Sequence, residues 1–339
     1  MRIVKNNKRI SVLGLIKFLA AIAIVYFHIS TRDHWEHLWI LVELFFFVTG
    51  YFTFKHFRKK ENRCKTIEQK SKNAISYTIK KFLPLIPFAI IAIIIKYIAL
   101  FLLNDKNMYS SIIRVLPLDI LLLNSQTSDF LWPLWYLSAM LIVFPLFCLM
   151  CQTKHKNTLY VVLFTSIIAY YFNFFNGATS QFNCLIRAFF GMSAGILVYA
   201  FSSHIRKNKN IKRDSKSLMF LFIILATASI LCLYPTKYSN GYQLYGILFI
   251  IFTILWLSIL LSGKIFLSRV SSPTMDYLER ISMIIYMIHI PVMYVLWLPI
   301  FPSPLSENQL LIMTILSSIV LSAVLNLVSS EITAKRNKT

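Results

Sequence analysis

Six ionisable side chains stand where the chain is otherwise apolar: Lys17, His28, Glu43, Lys96, Arg187 and His289. A charged group in hydrocarbon costs about 2.5–3.5 kcal/mol even by the mildest scale, so each of these residues needs a partner, a water-filled cavity or a function. Lys17 and His28 are eleven residues apart. On a helix that is three turns and a further ~20°, or roughly 16 Å along one face, so both look into the same groove. An imidazole suits proton transfer near neutral pH, and an ammonium suits an anion such as phosphate. Spacing alone also allows Lys17 to reach back to the interface, with His28 an interfacial residue.

Glu43 lies about two turns into the next apolar stretch, at a depth similar to that of His28. A carboxylate there could orient the imidazole as a general base. It could equally form a structural ion pair with Arg187, which sits near the corresponding end of its own stretch. Lys96 is close enough to a helix end to reach the interface. His289, in Tyr286-Met287-Ile288-His289-Ile290-Pro291, could bind a ligand or simply make a hydrogen bond between helices.

These residues must be positioned by membrane helices. Of 339 residues, 57% are hydrophobic and 14% charged, which excludes an ordinary soluble domain, where about 25% are charged. The net charge of +22 does not point to nucleic acid, because the basic residues fall in short runs between apolar stretches of spanning length. The apolar runs predict an all-α integral membrane protein of about ten helices, at approximately 10–30, 38–54, 82–103, 133–151, 158–174, 183–201, 218–234, 243–262, 281–300 and 309–329. Placing both termini in the cytoplasm puts 28 of the 35 Lys and Arg on that side, four (Arg32, Lys106, Arg114 and Lys237) outside, and three within spans. That asymmetry obeys the positive-inside rule at every loop and predicts a multi-pass protein of the cell membrane. The segment 104–132 is the long outer loop, and Ile112 to Leu123 within it is expected to lie on the membrane surface. The first apolar stretch, after Arg9, lacks a cleavage site and is expected to be a retained helix. Five scattered cysteines give no disulfide framework, and the Cys148/Cys151 pair has no second pair to complete a metal site, so no bound metal is expected.

Four segments carry a resemblance. Gly14-Leu15-Ile16-Lys17-Phe18-Leu19-Ala20-Ala21, running on to Tyr26-Phe27-His28, resembles the first helix of the acyltransferase 3 family, where an Arg, ten residues and a His mark the site. Glu43 to Tyr51, with Phe45-Phe46 and Thr49-Gly50-Tyr51, resembles its second-helix element. Trp132 to Ala139 resembles its Leu-Trp-Tyr-Leu element, and Leu278 to Pro291, with Ile281-Ser282, Tyr286 and His289, resembles the element near its end.

The resemblance implies a single membrane domain over 1–339 that transfers an acyl group, usually acetyl from acetyl-CoA, to a hydroxyl of an exported polysaccharide or glycolipid. Acyl-CoA is then a co-substrate, and no permanently bound cofactor is expected. His28 falls at the catalytic histidine, with Glu43 to orient it, and Lys17 falls at the family's Arg. A lysine there cannot make planar bidentate contacts but still binds phosphate, and Arg9 at the inner mouth could add to it. Arg187 is a candidate to stabilise oxyanion charge, and Trp135, Tyr136 and His289 are candidates to hold the acceptor sugar; Trp135 and Tyr136, at the outer start of their helix, read equally as interfacial aromatics. The chain stops at Thr339 without the extracytoplasmic domain of some longer members, so acyl handover is expected within the membrane domain or with a partner from a glycan synthesis machinery. The competing reading is an export component for a polysaccharide, in which His28 performs no proton transfer.

Overall fold

The apolar stretches form helices whose ends are set by local chemistry. The computed structural model describes residues 10–29, 36–59, 66–103, 134–153, 161–168, 182–234, 242–298 and 305–336. Among these, helix α1 is Ser11–Ile29. A 3₁₀ turn over Glu36–Leu41 leads into α2, Val42–Phe57. Helix α3, Ile67–Phe82, opens with a capping box: Thr66 Oγ1 accepts from the Gln69 N–H, and Gln69 Oε1 accepts from the Thr66 N–H. It passes through the short turn Leu83–Leu85 into α4, Ile86–Leu102. Then come α5 (Leu134–Cys151), a helical stretch over 161–168, α6 (Phe182–Lys207) and α7 (Lys216–Leu231). The last three are α8 (Tyr242–Ser262), α9 (Pro273–Leu296) and α10 (Glu307–Arg336).

Eight helical stretches among the described residues are long and apolar enough to cross a membrane, with α3 and α4 counted as one, and α7 is a shorter apolar helix. The expected span at 158–174 is described only over 161–168. Arg9, Cys64 and the segment Ile112 to Leu123 lie outside the described residues. Several helices run past their expected ends, and two such departures bear on the site. The expected loop 55–81 contains α3, a polar helix that rests on α5. Helix α9 begins at Pro273 rather than near 281, which carries Asp276, Glu279 and Arg280 into the helix.

Packing sorts the helices into two groups. In one, α9 packs against α1, α4 and α10. In the other, α6 packs against α2, α5 and α8, and α7 covers α8. The joint between α2 and α6 depends on small residues. A Cβ on Gly50 would run into the Met192 backbone, and one on Gly195 into the Phe47 and Gly50 backbone. Gly191 and Gly195 are thus a small-xxx-small stripe that lets two backbones touch where burial from lipid supplies no hydrophobic drive. Helix α10 shows the same logic. Thr314, Ser318 and Ser322 are buried on one face, and Ile312, Leu316, Val320 and Val324 are exposed on the other.

Candidate active site

Helices α1 and α9 run parallel and touch at matching heights. Ser11 Oγ donates to Asp276 Oδ1 at 2.7 Å, and a Cβ on Gly14 would meet the Met275 carbonyl and Glu279. Lys17 Nζ pairs with Glu279 Oε1 at 2.6 Å. Farther along, the rings of His28 and His289 stack, with centroids 5.3 Å apart and planes 30° from parallel. Lys17 and His28 therefore share the face of α1 that meets α9, as their spacing predicts. Glu279 and His289, ten residues apart, give α9 a rise of about 15 Å that matches the interval on α1.

His289 is fully buried, and its Nδ1 lies 2.9 Å from the Tyr286 carbonyl and 3.3 Å from that of Ile285. A carbonyl only accepts, so Nδ1 carries the hydrogen and Nε2 presents a lone pair. That Nε2 is buried with no protein partner. The hydrogen bond expected between helices is made instead to the residue's own helix, and the side chain's contact across the interface is the His28 ring.

The second cluster is built by α2 and α6. Arg187 Nε donates to Glu43 Oε1 at 2.9 Å, and Glu43 is 0% exposed. The Arg187 guanidinium is flanked by Trp39 at 4.7 Å and Trp135 at 4.8 Å. Of the two readings of Glu43, its hydrogen-bonded partner is Arg187; the pairing follows from the glycine joint, which aligns α2 and α6 side by side. Gly191 also leaves the carboxylate room, since a Cβ there would stand 3.1 Å from Glu43 Oε2. Trp135, expected to offer a face to a sugar, offers one to Arg187.

Tyr136 is buried rather than interfacial. It packs on Phe46 at 4.6 Å and on Tyr286 at 5.7 Å. Phe45 lies 6.1 Å from Tyr286, and Tyr286 lies 6.2 Å from His289. These rings form a layer across the seam between the two helix groups. On one side of it stands the His28/His289 pair; on the other is a cavity of about 140 Å³ whose lining includes Lys17, Glu279, Lys81, Thr49, Tyr136 and Ser282. Lys96 does not reach an interface: it is 0% exposed, with Nζ 5.3 Å from the Tyr97 ring, because α4 is pressed against α9.

Glu279, Lys81, Trp39 and Tyr286 were not singled out from sequence as site residues. Glu279 and Lys81 sit in polar segments next to apolar ones, where hydropathy ends the span too early. The only sequence signal for Glu279 was its place in the Leu278 to Pro291 element. Among the described residues no group of His, Cys, Asp and Glu is arranged to hold a metal ion.

No curated protein and no solved structure matches the chain. The family profile of the acyltransferase 3 domain, described as an acyltransferase domain, matches residues 10–330. That match takes in α1 to α9 and most of α10, including both histidines and Lys17, so the chain belongs to the acyltransferase 3 family and is a multi-pass membrane O-acyltransferase.

Proposed function

We propose that the protein moves an acyl group, acetyl in the first instance, from acyl-CoA to a hydroxyl of an exported cell-surface polysaccharide or glycolipid. The observation that carries the reading is the placement of Lys17 and His28 on one face of α1, with Lys17 in a cavity and His28 beyond an aromatic layer. The basic end of the bundle, where Lys17 and Lys81 lie, faces the cytoplasm in this reading, and the protein sits in the cell membrane. The phosphates of CoA stay at that end, on Lys17 and neighbouring cations, and the acyl chain passes along the seam.

The rise of roughly 16 Å from Lys17 to His28 then separates donor binding from chemistry. His28, its ring held against His289, takes the proton of the acceptor hydroxyl as that oxygen attacks the thioester carbonyl. The tetrahedral intermediate expels the CoA sulfur, and the proton on His28 passes to the thiolate. One ester forms, one thioester breaks, and the base is restored. Arg187, clamped between Trp39 and Trp135, and Glu43, its ion-pair partner, hold α2 and α6 in place as positioning residues; Tyr136 belongs to the wall of the donor path rather than to the sugar site.

The direct test is transfer of labelled acetyl from acetyl-CoA to surface glycan in membranes that contain the protein. Label in the glycan, lost with His28→Ala at normal protein abundance, supports the reading. Normal glycan acylation with failure of glycan export in that variant supports the export reading instead.

A further inference from the structure

A second cavity, about 370 Å³, adjoins the first at the basic end and is lined by His56, Asn73, Ser76, Tyr77, Lys80 and Lys81. Lys81 borders both. The sizes differ in a way that matters. A volume of 370 Å³ lies in the range of small-molecule sites, about 300–1,000 Å³, whereas 140 Å³ admits only a narrow chain. The larger cavity also has a different chemistry. Two ammonium groups and two small neutral donors line it, and no carboxylate does. The His56 ring is stacked on Tyr77, with centroids 4.4 Å apart and planes 18° from parallel. Tyr77 stacks in turn on the buried ring of Phe144, which fixes the column from the core side.

We infer that this groove, formed by the end of α2 and the exposed side of α3, is the seat of the donor's nucleoside phosphate head. The purine lies on the His56 end of the aromatic column, the ribose phosphate meets Lys80, the diphosphate bridges Lys81 and Lys17 where the two cavities share a wall, and the narrow arm continues beyond Lys17 along the seam. The inference rests on the acyl-CoA reading above and adds the site that would distinguish CoA from its pantetheine fragment. An anionic lipid headgroup shares the phosphate chemistry of Lys80 and Lys81. The aromatic column and the shared wall with the Lys17 cavity favour the nucleotide.

Calorimetric titration of the purified full-length protein with CoA, adenosine 3′,5′-bisphosphate and 4′-phosphopantetheine tests it. In the wild type the bisphosphate competes with CoA, and CoA binds about tenfold or more tighter than phosphopantetheine, as expected for one stacked base. His56→Ala and Lys80→Gln each shrink that preference, and His56→Trp, which restores an aromatic face, retains it. Unchanged preference in His56→Ala and Lys80→Gln, or no competition by the bisphosphate, overturns the groove while CoA remains the donor. A wild type that binds no CoA overturns the donor reading, and the groove with it. If Lys80→Gln leaves CoA affinity intact but loses co-purifying phosphatidylglycerol, the groove holds lipid and the inference fails.

Discussion

The rings of His28 and His289 lie stacked at 5.3 Å between the parallel helices α1 and α9. An aromatic neighbour on one side, anchored through Nδ1 to the backbone of its own helix, limits how His28 can turn. His28→Ala is expected to lower glycan acylation by about 10²–10⁴-fold without reducing protein abundance. His289→Ala should produce a smaller loss, and His289→Phe, which keeps the ring contact, a smaller one still. Quantifying O-acyl groups on the surface glycan by NMR in the three strains checks the order. Equal losses for Ala and Phe at position 289 would make the His289 nitrogens, rather than its ring, the important feature.

Lys17 and Glu279 form an ion pair at 2.6 Å in the cavity, so a phosphate arriving there must share the ammonium. Removing one charge-assisted contact of about 1.5–3 kcal/mol should raise the CoA dissociation constant roughly 10- to 150-fold in Lys17→Ala. Lys17→Arg should hold or improve binding. Glu279→Gln removes the competing carboxylate and is expected to tighten it. Titration of CoA in detergent measures all three, and unchanged affinity in Lys17→Ala would take Lys17 out of the donor site.

Glu43 is wholly buried and bonded to Arg187. Breaking such a pair by removing one partner costs about 3–5 kcal/mol, because the other charge is left uncompensated. Glu43→Gln and Arg187→Gln should each lower the thermal midpoint of the purified protein, and the double variant should fall short of the sum of the two. A stable Glu43→Gln protein with strongly reduced acyl transfer would return Glu43 to a direct role in the chemistry.

The ends of α6 and α7 give a test of orientation. Lys209 is exposed between them at the basic end, and Tyr234 is exposed just beyond the far end of α7. In a cysteine-free background, Tyr234→Cys should react with an impermeant thiol reagent in intact cells, and Lys209→Cys should react only after lysis. The reverse pattern would place the basic end outside and remove the cytoplasmic CoA pool from reach of Lys17.

The class of structure and the axis of the site are legible in the order of residues alone. Unbroken apolar runs of about 20 residues, with the charges confined between them, satisfy their backbone in lipid as helices, whereas barrel strands would alternate, so the spans could be read from length and hydropathy. The common face of Lys17 and His28 followed from helical geometry, since both lie on one rigid element. What lies opposite that face could not be read, because apolar helices pack through shape and small residues rather than through a sequence code. It is the packing of α9 on α1 that gives His28 a histidine and Lys17 a glutamate. Only the glycine joint of Gly50 with Gly191 and Gly195 settled that Glu43 hydrogen-bonds Arg187. Glu279 and Lys81 were hidden for the same physical reason. Hydropathy ends a span where polar residues begin, but helical structure goes on: Glu279 lies in the polar first turns of α9 and Lys81 in the last turn of α3, and both line the cavity.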